Sequence, residues 1–267
     1  MDDPSSLSQL TLVADLRRAI DADELTVYFQ PQVSLESMRV VGYEALVRWI
    51  HPDRGLVMPD DFIPLAEQTG LIIPLTHLVL RQALERCSRW LPLHADVGVS
   101  VNLSARGLVD PALHDLVAQL LADTGVPANL LTLEITESSV MSDFGGALVQ
   151  LDRLKALGTR LSVDDFGTGQ SSLAYLQRLP VHEVKVDKSF VLPMAKDDTA
   201  PAIVAAIVVL AHRLDLRVVA EGVETRGTCN TLTAMGCDVM QGYLVSRPLD
   251  PRQLDDWMAA SDSHAWN

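Results

Sequence analysis

The sequence predicts an α/β protein, a TIM-like (β/α)8 barrel whose first strand runs antiparallel to the rest. Three observations carry that expectation. Apolar, strand-like runs recur along the chain and end on carboxylates or carboxamides, stretches with helical periodicity separate them, and the runs number eight.

Six of the runs lie between residues 97 and 241. Run 97–101 ends on Asn102, 131–133 on Glu134, 161–163 on Asp164 and Asp165, 184–186 on Asp187, 218–220 on Glu221, and 239–240 on Gln241. If these strands are parallel, their terminal side chains all emerge on one carboxyl-end face, where α/β barrels build active sites. Helices are expected at 111–124, 143–157, 171–178, 200–214 and 225–235, where apolar residues recur at spacings of three and four. Asp110-Pro111 and Ser142 or Asp143 supply starts, and Gly125 and Gly158 follow helix ends. Runs 25–33 and 40–49 complete the eight. The linker 34–39 between them is too short for a crossover helix, which takes about a dozen residues, so this pair is expected to be antiparallel. Along the second run Glu44, Leu46 and Arg48 share one face, and Tyr43, Ala45 and Val47 the other.

A length of 267 residues suits one such barrel, and 48% apolar with 5% aromatic residues implies a core of Leu, Val, Ala and Ile. Residues 1–24 read as a polar tip and a short helix with Leu7, Leu10, Leu16 and Ile20 for packing, 25–258 as the barrel, and 259–267 as a tail. The acidic, polar start does not read as a signal peptide, and the longest apolar run, 202–211, is well short of the roughly 18 residues of a membrane span. A cytoplasmic chain with no membrane span is expected. Cys87, Cys229 and Cys237 lack metal-ligand spacing and read as reduced, buried thiols. A net charge of −14 argues against a DNA or RNA polymer as partner. A small nucleotide stays compatible, provided metal ions and a few cations such as Arg48 and Lys185 receive its phosphates.

Oxygen ligands converging on one face suit hard divalent cations, magnesium or manganese. Adjacent strand residues face opposite ways, yet at Asp164-Asp165 the strand stops within the pair and Phe166-Gly167-Thr168-Gly169 turns away. Both carboxylates can then face one cavity and serve two cations about 4 Å apart. A kinase reading of Asp165-Phe166-Gly167 fails, because no glycine-rich nucleotide loop or His-Arg-Asp loop stands in the required order. Glu137, three after Glu134, reads as a capping or loop-bracing carboxylate. Lys185, two before Asp187 on the same face, needs acidic partners inside a buried strand. It is either a structural ion pair or a cation that holds water or a phosphate oxygen. Of Glu221 and Glu224, one can ligate metal or accept a proton while the other braces the loop.

Taken together, these residues resemble the EAL-domain cyclic di-GMP phosphodiesterases across essentially the whole chain after residue 24. The resemblance rests on Glu44-Ala45-Leu46-Val47-Arg48, Phe62-Ile63-Pro64-Leu65-Ala66-Glu67, Asn102-Leu103-Ser104, Glu134-Ile135-Thr136-Glu137, Asp164-Asp165-Phe166-Gly167-Thr168-Gly169, Lys185-Val186-Asp187, Glu221-Gly222-Val223-Glu224 and Gln241-Gly242-Tyr243, in order. Gln170 departs from it, since the family often carries an aromatic residue there.

The resemblance implies two ions, Mg2+ or Mn2+: Glu44, Asn102, Glu134 and Asp164 around the first, Asp164, Asp165 and Glu221 around the second. It implies that Lys185 orients the attacking water, that Glu221 is the general base, and that Gln241 supports the site. Arg48 would grip a phosphate and Gln30 a guanine edge, with Leu46 and Tyr243 also on the substrate side. Glu137 and Glu224 would anchor loops, Glu137 holding the 164–172 loop that couples dimerisation to metal binding. The implied reaction is hydrolysis of cyclic di-GMP to linear pGpG by a homodimer. The alternatives are a cyclic di-GMP receptor that binds without cleaving, and a dimerising interaction module.

Overall fold

The computed structural model describes residues 4–22, 24–168, 173–197 and 199–261. Its strands are β1 (Leu25–Ser34), β2 (Val40–His51), β3 (Gly55–Val57), β4 (Gly98–Leu103), β5 (Leu131–Thr136), β6 (Arg160–Phe166), β7 (Glu183–Val186), β8 (Arg217–Ala220) and β9 (Val239–Gln241). They form one sheet in the order β1-β9-β8-β7-β6-β5-β4-β2-β3, and β1 also pairs with β2, which closes a ring of eight. Within the ring β1 is antiparallel to both neighbours, and the other pairs are parallel. The short linker is the cause. Ser34 and Arg39 close a tight turn in which Met38 takes φ 52°, so the chain folds straight back instead of crossing the barrel. The sequence reading did not include β3, a three-residue arm that pairs with the end of β2 outside the ring.

Helices Leu113–Thr124, Phe144–Ala156, Ala200–Arg213 and Arg226–Ala234 lie where the apolar spacing puts them. The Asp143 carboxylate accepts from the Gly146 amide and starts the second of these. Gly125 ends the first at φ 68°. The helix expected at 171–178 is described only as Leu173–Leu176; Arg178 and Leu179 already turn back on Tyr175, and Pro180 follows, which disfavours helix before it. Gln170 lies outside the described residues.

Further helices lie outside the barrel. Pro59–Thr69 and Ile72–Trp90 fill the connection from β3 to β4. Pro251–Ser261 buries Leu254 and Met258 and brings Trp257 edge-on to Tyr43 at 6.1 Å, so ordered helix continues to residue 261. The helix Pro4–Asp21 buries Leu16 and half-buries Ile20, and its Asp15 reaches buried His51 at the end of β2, 3.3 Å away. The side chains of Leu7 and Leu10 lie outside the description. Cys87, Cys229 and Cys237 are free and buried. No helix among the described residues is long and apolar enough to cross a membrane.

The apolar core sits between the strands and the helices, whereas much of the barrel interior is polar. Gln32, Glu44, Ser100, Glu134, Ser162, Lys185 and Gln241 are all buried. Branched apolar side chains fill most barrels of this class. A polar lumen of this kind needs a use, because each buried charge without partners costs several kcal/mol.

Candidate active site

Lys185 is the hub of that lumen. Its strand β7 alternates, with Val184 and Val186 turned to the helices and Lys185 turned inward, fully buried. Its Nζ lies 2.7 Å from Glu134 Oε2, 2.7 Å from Glu221 Oε1, 3.3 Å from Asp164 Oδ2 and 3.5 Å from Glu44 Oε2. Burial alone would lower its pKa, but Asp164, Glu134, Glu221 and Glu44 together hold the ammonium well above its usual range. Burial pushes the Glu134 carboxyl well above the carboxylate range despite Lys185. The same cause pushes Glu221 up to about 7. For Glu44 burial is outweighed by Lys185 and by hydrogen bonds from Gln241 and Asn102, and its pKa falls.

Asp164 and Asp165 do face one site, through a bulge. The β6–β7 register runs Val163 to Val184 and then Phe166 to Val186, so β6 carries one extra residue across the acidic pair. Asp165 takes φ 55°, a left-handed conformation that Asp tolerates better than most residues. Its amide donates to Asp164 Oδ1 at 2.9 Å, and Thr168 donates to its carbonyl from both backbone and side chain. Two overlapping carboxylate groups result, Glu44–Glu134–Asp164 and Asp164–Asp165–Glu221, each with ligand atoms within 4.8 Å of one another.

The donor set fits hard divalent cations. Five carboxylates against one ammonium leave a formal charge of 1 − 5 = −4, which two divalent ions would neutralise. Glu134 Oε1 is buried and has no hydrogen-bond partner among the described residues, so one carboxylate oxygen is left over for a ligand. Asn102, at the exposed end of β4, donates from Nδ2 to Glu44 Oε1 at 2.7 Å, which leaves its carbonyl oxygen available as a further ligand.

Carboxamides brace the cluster from the side of β1 and β9. Gln241 Nε2 donates to Glu44 Oε2 at 2.5 Å and to Gln30 Oε1 at 3.0 Å, while its own oxygen accepts from Gln32 Nε2. Gln30 donates onward to the Ser246 carbonyl. Leu46 and Arg48 are half-buried further along the Glu44 face, and the Arg48 guanidinium lies 5.7 Å from the Tyr28 ring centre. Tyr243 is exposed and carries the Arg247 guanidinium 4.2 Å above its ring.

Glu137 opens the short helix Glu137–Ser142 and is half-buried, lining a cleft with Phe166 and Tyr175 beside the acidic loop. Glu224 is exposed. Asp187 departs from the expected pattern: β7 stops at Val186, alternation stops with it, and the Asp187 carboxylate accepts from the Ser189 amide as a helix cap. Gln32, Tyr28 and Arg247 escaped the sequence reading. The first two share the inward period of Gln30 and were readable from it; Arg247 sits in a loop with no period to reveal it.

The model of the EAL domain matches residues 13–248. This chain belongs to the EAL domain family. As an EAL domain it is 44% identical over 247 residues to the bifunctional diguanylate cyclase/cyclic di-GMP phosphodiesterase MucR of Pseudomonas aeruginosa, covering 92% of this chain and 36% of that protein. It is 42% identical over 253 residues to the cyclic di-GMP phosphodiesterase NbdA of the same organism, covering 94% and 32%. The chain thus spans about a third of the length of these curated relatives. Among solved structures, the MucR phosphodiesterase in complex with c-di-GMP superposes with a TM-score of 0.87 at 44% identity, covering 91% of this EAL domain and 99% of that chain.

Proposed function

We propose that this EAL domain is a cytoplasmic phosphodiesterase that hydrolyses one phosphodiester bond of cyclic di-GMP to give linear pGpG. The observation that carries the reading is the doubled carboxylate group sharing Asp164 around buried Lys185. The c-di-GMP complex of the MucR phosphodiesterase, 44% identical, supports the substrate.

Glu44, Asn102, Glu134 and Asp164 would hold one Mg2+ or Mn2+ ion, and Asp164, Asp165 and Glu221 a second. Bound there, the ions supply charge neutralisation at the scissile phosphate and a lowered pKa for the attacking water. Without them the cluster repels an anionic substrate. Lys185, fixed by four acids, donates to the attacking water and orients it for in-line displacement. Glu221, 2.7 Å from Lys185, accepts the water's proton. Arg48 pairs with a phosphate oxygen, Gln30 bonds a guanine edge, Leu46 and Tyr243 pack against the bases, and Gln241 keeps Glu44 and Gln30 in register. Glu137 and Glu224 hold the adjoining loops.

The test is incubation of the purified chain with cyclic di-GMP and magnesium or manganese, with Glu44→Ala alongside, and chromatography of the products. The pGpG product is expected from the wild type alone. Intact substrate with binding retained would make the domain a receptor instead. Calcium is expected to bind yet support far less turnover than magnesium, because its longer, looser coordination misplaces the water; equal rates would count against this mechanism.

The reading includes a homodimer, and the exposed apolar side chains of the helix Ala200–Arg213, Ile203 at 46% and Val209 at 60%, support that helix as its contact. The double variant Ile203→Glu, Val209→Glu is expected to halve the mass seen by light scattering. An unchanged mass would rule this face out as the dimer contact.

A further inference from the structure

We propose a second ligand site at the opposite mouth of the barrel, where Arg160 and Arg217 together bind a phosphate group. Strands β6, β7 and β8 begin with Arg160, Glu183 and Arg217, and the sheet register sets Glu183 beside Arg217 and beside Ser162. These residues line a cavity of about 280 Å³ together with Gln32, Ser100 and Thr132. Gly42 and Gly98 also line it. A side chain at Gly98 would strike the Leu130 carbonyl, 2.5 Å from its Cβ, and one at Gly42 would press on Gln32. Close approach of these neighbours is therefore what calls for glycine at both positions of the cavity wall.

Both arginines are half-buried, and neither guanidinium makes a hydrogen bond or a close ion pair among the described residues. Two such cations held around one cavity repel each other unless an anion joins them. Glu183, 6% exposed, is the only buried acid of the lining, and burial pushes its carboxyl up against the opposing pull of Arg217 and Arg160. Asp96, the other acid there, is exposed to water. A wider cleft shares both arginines and adds Lys155 and His182. Its Asp238 is already engaged by His212 and by the Val218 amide, and its Asp215 is exposed.

On a chain of net charge −14, this mouth gathers Arg160, Arg217 and Lys155 around one opening. Guanidinium forks match tetrahedral oxyanions in two-point contacts, and the volume lies at the small end of ligand sites. Inorganic phosphate or a small phosphate monoester meets both conditions. The inference stands apart from the phosphodiesterase reading, since it invokes none of the carboxylate cluster.

The experiment is calorimetric titration of the full chain with inorganic phosphate, and separately with glycerol phosphate, at constant ionic strength set by chloride. A chelator keeps any metal from offering phosphate a place at the carboxylates. Saturable binding is expected in the wild type and in Arg48→Gln at the catalytic mouth. Arg217→Gln is expected to lose about tenfold in affinity, and Arg160→Gln with Arg217→Gln to lose binding altogether. Arg217→Lys, which keeps the charge and loses the fork, should fall between and guards against a folding artefact, with thermal melts of each variant alongside. Tighter binding of the ester than of phosphate would identify the ligand as a phosphorylated small molecule, and the reverse as phosphate itself. No saturable heat in the wild type, or undiminished binding in the double variant, would overturn the proposal.

Discussion

Lys185→Met is expected to lower turnover of cyclic di-GMP by on the order of 10³-fold and, in the metal-free protein, to destabilise the fold by about 3–5 kcal/mol. Methionine nearly matches lysine in length, so the loss isolates the ammonium. Four carboxylates that now share Lys185 within 3.5 Å would face one another in a buried space with no cation between them. A cost of this size corresponds to a melting temperature lower by on the order of 10 °C. Magnesium should restore much of the stability, since divalent ions take over the neutralising role, but not the turnover, since they do not supply the hydrogen bond to the water. Melts with chelator and with magnesium, beside product chromatography, separate the two effects. A variant as stable and as active as the wild type would show that Lys185 is neither hub nor catalyst.

Without metal, the protein is expected to lose stability as pH rises from about 5 to about 7.5, and with magnesium the loss should vanish. Glu221 is raised from 4.5 to about 7, and Glu134 is raised further in the same direction, both by burial. A carboxyl with a raised pKa in the folded state binds its proton more tightly folded than unfolded. Its contribution is full below the unfolded value and drains away as pH climbs through the folded one. Asp165, also raised, acts the same way. Glu44, lowered, works oppositely and matters only under more acidic conditions, and Lys185 stays charged throughout the window. Metal competes with these protons, so it removes the slope as well as lifting the melting temperature. Melting curves at several pH values in chelator that are flat or rising across this window would contradict the buried, mutually repelling cluster.

The barrel was legible wherever one period ran uninterrupted. Strand ends at Asn102, Glu134, Asp164, Glu221 and Gln241 announced a shared face because alternation and strand polarity are local properties. The antiparallel first pair was legible for a different reason, the arithmetic of a linker too short to cross. Asp187 misled, because position two after Lys185 implies the same face only while the strand lasts, and β7 ends one residue earlier. The bulge at Asp164-Asp165 could be anticipated from the glycine loop that follows it, but not the left-handed turn of Asp165 that sets both carboxylates. The Gln30–Gln241–Gln32 chain was invisible because it joins residues about two hundred positions apart, and no local pattern encodes such a meeting.

That same meeting bears on when the site comes into being. Ring closure depends on Gln32, Val33 and Ser34 finding Gln241, Met240 and Val239, and Gln241 must then reach Glu44 across a sequence separation of 197. Contacts of such high order form late, after the local pairings and the successive parallel crossovers have shortened the remaining loop. During synthesis the chain carries Glu44, Glu134, Asp164 and Lys185 well before the strand that seals them has been made. The enclosure of the carboxylate cluster is therefore acquired at the seam, where the first and last strands of the barrel join, and a nascent chain lacking β9 carries the acids without it.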